Sequence, residues 1–345
     1  MSKKTKASTK GTELENHNEE RFSEILNQIQ TAKQRAFQQA NTLLVELYWN
    51  IGQYISRQVE QAGWGKGVIL ELAGFIKKND AELKGFSDKN LWRMKQFYET
   101  YRHDQKLATL WRVLPWSHNR RIMTLKTAEE REFYLLLCQQ KKYSYRELER
   151  LIKTSIFERT MLADTKLSPA VTVLPQSVDG VFKDSYVFEF LDLPVPYREK
   201  ELQQALVASL KDFILELGLG FTYLGQEYRL QVGNDDFAID LLFFHRHLQC
   251  LVAFELKNRK FRPADLGQLE FYLEALDKDV KLPHENPSIG VLLCREKDDE
   301  VVKYALNRSL SPTVIADYAT KLIPKELLRK KLNEFYALLE GKEAE

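Results

Sequence analysis

Three side chains suited to one chemical task stand at the ends of two neighbouring apolar runs. Asp240 comes just before Leu-Leu-Phe-Phe, and Glu255 and Lys257 follow Val-Ala-Phe. The residues between the runs include His-Arg-His-Leu-Gln, which favours the tip of a β-hairpin. Paired strands would bring the two carboxylates side by side at one end of a sheet. Glu255 and Lys257 would share a face, because side chains alternate between faces along a strand.

Two adjacent carboxylates repel each other unless a cation joins them. Oxygen ligands of this kind suit Mg²⁺, which typically keeps several waters and uses few protein carboxylates. Such an ion can hold a phosphodiester oxygen and lower the pKa of a bound water. The Lys257 ammonium would then orient the attacking water and offset developing negative charge. The combination predicts hydrolysis of a phosphodiester, and the alternative is a structural salt bridge between strands.

The surrounding elements predict an α/β domain in the second half of the chain. The pattern is helix, three strands, helix, strand, helix, strand and a closing basic helix. The predicted strands are FTYLGQEYRLQV, FAIDLLFFH, CLVAFELK, SIGVLLC and TVIADY. Three successive strands favour antiparallel hairpins, whereas the later alternation favours parallel crossovers. We therefore expect a mixed central sheet covered by helices.

The first half predicts an all-α domain, because apolar residues recur at helical spacing from Glu20 to about residue 158. Ser87 is a predicted N-cap, Thr127 with Glu130 resembles a capping box, and LPWSHN at residues 114–119 predicts a loop. The predicted domain organisation is a disordered basic tail at 1–19, a helical domain at 20–168, a linker at 169–184 and the α/β domain at 185–345.

The bulk composition limits the classes of protein and of partner. With 345 residues and 44% hydrophobic content, the chain predicts two domains. Residues 1–170 contain 29 Lys and Arg against 20 Asp and Glu, a balance of +9 that favours a polyanionic partner. Two ordinary solvated surfaces remain the alternative. We expect no membrane span and no export signal, hence a cytoplasmic protein.

The three cysteines predict no metal site and no disulfide framework. Cys138, Cys250 and Cys294 are far apart and form no CxxC pair.

Asp240, the run Glu255-Leu256-Lys257 and the following Gln268 resemble the core of the PD-(D/E)XK (restriction-endonuclease-like) nuclease superfamily. The α-β-β-β-α-β order of that core matches the predicted order of elements. Nearly the whole chain resembles the YhcG-type family, in which a helical N-terminal domain precedes a PD-(D/E)XK nuclease domain. The stretches that carry this likeness include LYWNIGQYI, GWGKGVI, LPWSHN, YRELERLI, IDLLFFHRHLQCLVAFELK and GQLEFYLEALD. The resemblance implies a bacterial, Mg²⁺-dependent DNA endonuclease in which Mn²⁺ is expected to substitute. Defence against foreign DNA, recombination and repair are the implied roles.

The family pattern assigns roles to individual positions of this sequence. Asp240 and Glu255 resemble the metal-binding carboxylates, the Leu256 carbonyl an additional ligand, and Lys257 the catalytic lysine. The family often adds an acid from the first core helix, for which Glu199 is preferred over its rival Glu201. Gln268 resembles a helix glutamine directed at the site, an exposed amide being the alternative. Ile239 stands where the superfamily name has proline, a common variation that leaves the aspartate in place.

Basic residues with neighbouring aromatics predict contact with nucleic acid. The candidates are Lys89, Arg93, Lys95, Arg146 and Arg150 in the helical domain, and Arg229 on the first long strand. The alternatives are aromatics in a core and arginines paired with neighbouring acids. His245 and His247 at the hairpin tip could hold a metal, although a solvated tip is preferred.

Several partners and one rival function stay open at this point. DNA is the expected partner, RNA is not excluded, and the helical domain could instead form a homodimer or bind another protein. A catalytically inactive DNA-binding or assembly protein that retains the nuclease fold is the alternative function. Retention of the mutually repulsive Asp240 and Glu255 argues against that alternative.

Overall fold

The protein is described here by a computed structural model that covers residues 6–343 except 173, 175, 176, 179 and 195. Side chains are described from residue 22 onward, apart from those of residues 105, 172, 335 and 338–343. The chain divides into two compact units between Leu148 and Glu149. None of the helices among the described residues is both long and apolar enough to cross a membrane.

The first unit is built from helices, as the apolar spacing predicted. They are α1 Lys6–Ala62, α2 Lys66–Asn79, α3 Asp88–Tyr101, a 3₁₀ turn Gln105–Leu107, α4 Ala108–Trp111, α5 Trp116–Ile122, α6 Ala128–Lys141 and α7 Tyr145–Lys153, which reaches past the division. Helices α1 and α3 pack closely at Gly52, where a Cβ atom would lie 2.1 Å from the Met94 carbonyl oxygen. Buried Tyr48, Ile55 and Leu91 form the surrounding core.

The predicted caps of two helices are confirmed. The Ser87 hydroxyl accepts a hydrogen bond from the Asn90 N–H at 3.3 Å, and the Thr127 hydroxyl accepts one from the Glu130 N–H at 3.1 Å. Each side chain satisfies a backbone donor that the first turn leaves without a partner.

The loop predicted for LPWSHN is wrong, because α5 begins at Trp116 with Pro115 immediately before it. Proline suits the start of a helix, where its missing N–H and fixed φ cost little. The buried Asn119 side chain donates to the carbonyls of Trp111 at 2.8 Å and Leu114 at 3.1 Å, which closes the preceding turn.

The second unit contains a mixed sheet, as predicted, with seven strands instead of the five predicted. Its elements are α8 Ile156–Met161, β1 Lys166–Leu167, α9 Pro169–Thr172, β2 Ser185–Val187, α10 Glu199–Ala208, α11 Leu210–Leu217, β3 Phe221–Val232, β4 Asp235–His245, β5 Cys250–Lys260, α12 Asp265–Ala275, a π-helical turn Leu276–Val280, β6 Ile289–Glu296, α13 Asp299–Leu306, β7 Thr313–Ala319 and α14 Lys325–Glu343. The strand order is β1-β7-β6-β5-β4-β3, with β2 also paired to β7. Strands β3, β4 and β5 pair antiparallel, and β5, β6 and β7 pair parallel.

Helices cover both faces of this sheet. Phe213 of α11 packs with Phe243 and Phe254 on one face, and Leu269 of α12 packs with Leu292 on the other. Helices α10 and α11 replace the single helix predicted for residues 198–218, since Ser209 leaves helical geometry at φ −107° and ψ 32°. Serine competes with the helix by local hydrogen bonding, which favours a break at this residue.

The predicted N-terminal tail and the predicted linker both differ from the structure. Residues 6–19, predicted as a disordered tail, begin α1, while residues 1–5 lie outside the described part. No proline interrupts residues 6–19, so the helix can propagate toward the N-terminus. The predicted linker at 169–184 contributes Val171 and Phe182 to the buried core of the sheet. Burial of these apolar side chains makes the segment part of the second unit.

A buried glutamate explains why the second unit begins before the predicted boundary at residue 168. Glu216 of α11 is fully buried and pairs with Arg150 at 3.1 Å, Arg159 at 2.9 Å and Lys183 at 3.2 Å. It also accepts the Val187 N–H at 3.0 Å. Burial alone would raise the pKa of Glu216, but the three cations together lower it. The carboxylate therefore joins α7 and α8 to the sheet domain.

Glu216→Gln is expected to lower the free energy of unfolding at pH 7 by about 3–5 kcal/mol, because it leaves buried cations without a counter-charge. The pKa of Glu216 lies below its ordinary 4.5 in the folded state, so its stabilisation is present above that value and is lost as the pH falls. The difference between variant and wild type should therefore shrink below about pH 4 in urea unfolding. Glu274→Gln, at an exposed glutamate, is the control and should change stability little at either pH; equal stability of wild type and Glu216→Gln at pH 7 would contradict the assignment.

Candidate functional site

Strand register places the two predicted carboxylates opposite each other. The antiparallel pairing of β4 and β5 runs from His245 opposite Cys250 to Leu241 opposite Phe254. Asp240 and Glu255 are the next residues on the two strands, just where the pairing stops. The Asp240 Oδ2 atom accepts the Leu256 N–H at 2.8 Å across this gap. The hairpin therefore brings both acids to one point of the sheet.

Lys257 joins the acids as predicted. Its Nζ atom lies 2.7 Å from Glu255 Oε1, and both side chains are buried, at 9% and 3% exposure. The other carboxylate oxygen, Glu255 Oε2, is buried and finds no hydrogen-bond partner among the described residues. A buried carboxylate oxygen without a partner is costly, so it indicates a missing cation or donor at this position.

The electrostatics of the acid pair are those of crowded carboxylates. Burial first, and then the charge of Asp240, raises the pKa of Glu255 to about 7. Burial also raises the pKa of Asp240, with contributions from Glu199 and Glu227, against the Leu256 N–H that lowers it. Burial would lower the pKa of the Lys257 ammonium, but the hydrogen bond and charge of Glu255 raise it overall. The site thus holds more negative charge than its single lysine offsets.

The structure distinguishes the two candidate helix acids. Glu199, the first residue of α10, accepts the Asn258 N–H at 3.1 Å, next to Lys257 on β5. Its charge raises the pKa of both Asp240 and Glu255. Glu201 instead accepts the Arg198 N–H at 2.7 Å and serves as a cap of its own helix. The geometry therefore favours Glu199 as the third acid.

Two amide side chains that the sequence analysis did not select hold the backbone around the site by hydrogen bonds. Buried Gln203 donates to the Asp240 carbonyl at 2.7 Å, and Asn258 donates its side-chain N–H to the Tyr197 carbonyl. Together they fix the start of α10 against the ends of β4 and β5. A glutamine inside a helix and an asparagine after a strand carry no distinctive sequence signal, so only the tertiary contacts reveal them.

Gln268 is an exposed residue that hydrogen-bonds a tyrosine of its own helix. Its Nε2 atom donates to the Tyr272 hydroxyl at 2.7 Å on α12. The Tyr272 pKa is raised chiefly by burial, and also by the charges of Glu255 and Asp240. Arg259 and Asp265 fix this helix by a bidentate pair at 2.9 and 2.6 Å. Gln268 therefore holds Tyr272, a residue that the sequence analysis did not select.

Glu227 on β3 is a further acid that the sequence analysis missed. It has a left-handed φ of 46°, uncommon for any residue except glycine. Its neighbours Gln226 and Tyr228 pair with Leu241 and Ile239, so Glu227 lies beside Asp240. Its charge raises the pKa of Asp240, and it pairs with Lys200 at 3.6 Å. The hairpin register, once known, is the signal that identifies it.

The donor set fits a divalent cation held by two carboxylates. No group of three or more His, Cys, Asp or Glu side chains is arranged as a metal site in the described part of the chain. Mg²⁺ usually needs only one or two carboxylates, the rest of its shell being water. Asp240 and Glu255 supply these, and the Glu255 oxygen without a partner marks where positive charge is needed. The Leu256 carbonyl stays a predicted ligand.

The residues predicted to contact nucleic acid differ in their exposure and in their ion pairs. Exposed side chains are those of Lys89, Arg93, Arg146 and Arg229. Lys95 pairs with Glu99 at 2.6 Å and is half-buried. The prediction for Arg150 is wrong, because its side chain is only 11% exposed and pairs with Glu189 at 3.2 Å and with Glu216 at 3.1 Å. A guanidinium held by two carboxylates is not available to a phosphate.

The hairpin tip differs from the predicted solvated turn. His245 is buried, and its Nδ1 accepts the Leu248 N–H at 3.1 Å. Only His247 of the pair is exposed. Gly220 packs against the His245 ring, since a Cβ there would lie 2.7 Å from Nε2. His245 therefore stabilises the turn.

Glu255→Gln is expected to stabilise the metal-free protein at pH 8. The folded-state pKa of Glu255, about 7, lies above its ordinary 4.5, so its contribution to stability falls as the pH rises between these values. The variant should gain on the order of 1–3 kcal/mol at pH 8 and lose that advantage near pH 4.5. Urea unfolding with a chelator present measures both, with Glu274→Gln as the exposed control. A variant less stable than wild type at pH 8 would refute the crowded-carboxylate description.

Two solved structures show low overall similarity to this chain. A repair endonuclease from Pyrococcus abyssi is 21% identical over 38% of this chain and 50% of its own, with a TM-score of 0.26. A complex of EndoMS with dsDNA2 is 18% identical over 39% of this chain and 48% of its own, with a TM-score of 0.25.

Sequence comparisons cover both units. Residues 179–333 match the model of the YhcG PDDEXK nuclease domain, and residues 24–159 match the DUF1016 N-terminal domain. A protein of Escherichia coli (strain K12) named "Putative nuclease YhcG" is 32% identical over 92% of this chain and 94% of its own. The chain therefore belongs to the YhcG family, in which a DUF1016 N-terminal domain precedes a PDDEXK nuclease domain.

Proposed function

We propose that this protein is a divalent-metal-dependent DNA endonuclease whose reaction centre is formed by Asp240, Glu255 and Lys257. The observation that supports this most is the buried Glu255 Oε2 atom, which lacks a partner beside a second carboxylate at the same end of the sheet. Neither a structural salt bridge nor a solvated strand end requires that arrangement. The nuclease domain found by comparison makes phosphodiester hydrolysis the matching reaction.

Asp240 and Glu255 are the residues that would hold the metal ion, Mg²⁺ or Mn²⁺, and Glu199 would add negative charge beside them. When bound, the ion supplies positive charge for a phosphate oxygen and lowers the pKa of water. The hydrogen bonds from Leu256 to Asp240 and from Asn258 to Glu199 keep these carboxylates oriented. Preorganised ligands avoid the cost of rearrangement during the reaction.

Lys257 has two roles in the proposed reaction. Its ammonium donates to Glu255 Oε1 at 2.7 Å, which uses one of its three N–H donors. The remaining donors can orient the attacking water and bind a phosphate oxygen as negative charge develops. Because the charge of Glu255 raises the pKa of Lys257, the side chain stays protonated at neutral pH and acts as a positioning and electrostatic group.

The proposed substrate is DNA, and the helical unit is proposed to contribute to its binding. Residues 1–170 carry the balance of +9, and Lys89 and Arg93 are exposed one turn apart on α3. Cationic side chains on one helix face suit a phosphate backbone. Defence against foreign DNA, recombination or repair in a bacterial cytoplasm is the biological setting proposed with this activity.

The catalytic assignment is tested with purified full-length protein and a panel of supercoiled, linear, branched and single-stranded DNA together with RNA. Cleavage should require Mg²⁺ or Mn²⁺ and should fall at least about 1,000-fold in Asp240→Asn, Glu255→Gln and Lys257→Met. Calorimetry should show Mn²⁺ binding by wild type and its loss in Asp240→Asn. Lys260→Met, an exposed lysine on the same strand, is the control and should cleave like wild type.

Three other outcomes of these experiments would change the proposed function in different ways. Wild-type cleavage by both Asp240→Asn and Lys257→Met would show that the site is misassigned. DNA binding without metal-dependent cleavage by wild type would support the inactive DNA-binding alternative. Preferential cleavage of RNA would replace DNA as the substrate.

Lys89→Ala combined with Arg93→Ala is expected to weaken DNA binding about tenfold in the presence of a chelator, which prevents cleavage. Loss of two phosphate contacts should also reduce the slope of log Kd against log salt by about 2, measured by fluorescence anisotropy. The matched control is Lys77→Ala with Lys78→Ala, two exposed lysines of α2. An unchanged salt slope in the α3 variant, or an equal change in both variants, would show that α3 is not a specific contact.

A further inference from the structure

The middle of α1, residues 22–47, exposes a broad apolar stripe. Between Phe22 and Leu47 it includes Phe22, Ile25, Leu26, Ile29, Phe37, Leu43, Leu44 and Leu47, each 40% or more exposed. Phe37 and Leu43 are the most exposed, at 74% and 67%. Helical geometry of about 100° per residue places buried Val45 on the far side of the helix from the stripe and buried Tyr48 at its edge. The stripe therefore adjoins the packed side of α1 and is exposed along residues 22–47.

The stripe has the spacing of a coiled coil. Positions 22, 26, 29, 33, 36, 40, 43 and 47 follow one another at alternating intervals of four and three residues. They carry Phe, Leu, Ile, Lys, Ala, Ala, Leu and Leu. An average spacing of 3.5 residues keeps one seam of a helix facing another helix along its whole length. The matching surface is therefore helical rather than a sheet or a membrane.

The exposed area is what a stable dimer needs. At roughly 150–200 Å² for each fully exposed large apolar side chain, the eight exposed fractions amount to roughly 700–900 Å² per copy. A standard protein interface buries about 800 Å² on each partner. A helix that leaves such a face in water gains little stability from tertiary packing there, so a partner is required.

The sequence of the seam is complementary to itself when two copies run antiparallel. A two-fold axis near residues 34 and 35 places Phe22 opposite Leu47 and Leu26 opposite Leu43. It also places Ile29 opposite Ala40, and Lys33 opposite Ala36. Large side chains then meet at both ends, and alanines leave room at the centre for the Lys33 stem to reach water. Each contact occurs twice, as a closed two-fold dimer demands.

The parallel arrangement is disfavoured by the same seam. Parallel copies in register would place Lys33 directly against Lys33 of the other copy, an unfavourable contact of like charges in an apolar seam. The antiparallel arrangement separates the two ammonium groups along the helix. Lys33, the one charged residue of the seam, therefore favours antiparallel over parallel pairing.

We propose that residues 22–47 of α1 form an antiparallel coiled coil with the same segment of a second copy of this chain. The seam positions form the centre of this interface, and the exposed Ile25, Phe37 and Leu44 of the stripe flank it. The proposal is independent of the nuclease assignment, because it concerns residues that take no part in the reaction centre.

Sedimentation equilibrium of the full-length protein at micromolar concentration tests the proposal. Wild type should be a dimer. Leu26→Glu and Leu43→Lys, each at an exposed position of the monomer, should raise the dimer Kd at least about 100-fold, because two-fold symmetry introduces every change twice. Combining Leu26→Glu with Leu43→Lys should restore the dimer, since antiparallel pairing sets opposite charges against each other.

The control is Gln38→Glu, an exposed position on the outer side of α1, which should leave the dimer unchanged. Circular dichroism and urea unfolding show that each variant is folded. A monomeric wild type would overturn the proposal, as would a dimer that survives both single substitutions. Single variants that dissociate without recovery in the double variant would overturn the antiparallel register.

Discussion

The repulsion between Asp240 and Glu255 is the constraint around which the second unit is arranged. Two carboxylates at the end of paired strands are unfavourable unless the fold holds them in place. The register of β4 and β5 does this, because Leu241 and Phe254 are locked opposite each other in the core. The position of the acids follows from that packing, and Lys257 balances part of their charge.

The site of Asp240 and Glu255 combines hydrogen bonds that hold its backbone with repulsion between its carboxylates. Gln203 holds the Asp240 backbone and Asn258 links β5 to the start of α10, so the acids cannot move apart freely. Glu227, held at positive φ, adds negative charge beside Asp240. Strain and crowded charge of this kind lower stability and are typical of functional sites. Elsewhere in the same unit, the buried Glu216 shows the opposite case, a carboxylate with its charges satisfied by three cations.

Helices α1 and α3 show that a sequence pattern can predict a helix without showing which of its side chains are buried. The aromatics of α3 suit either a stacking surface or a core by their spacing, and Phe97 and Tyr101 are buried in the core. Lys89 and Arg93 of the same helix are exposed, and Lys95 is held by Glu99. Basic residues in one short stretch therefore have different surroundings, because helical geometry sends neighbouring positions in different directions. The apolar spacing of α1 likewise predicted a helix without showing which positions would be covered.

Local sequence patterns were enough to predict the helical first half, five of the strands and the meeting of Asp240, Glu255 and Lys257. These follow from local periodicity and from alternation along strands, which depend on nearby residues only. The tertiary structure was needed to show that Arg150 is held in structural ion pairs, that Glu199 rather than Glu201 lies near the acids, and that Glu227 and Gln203 lie beside Asp240. Those outcomes depend on which distant segments meet, as with Arg150 and Glu216, 66 residues apart. The packing of helices against a sheet determines such contacts, and the spacing of residues along one segment contains no record of them.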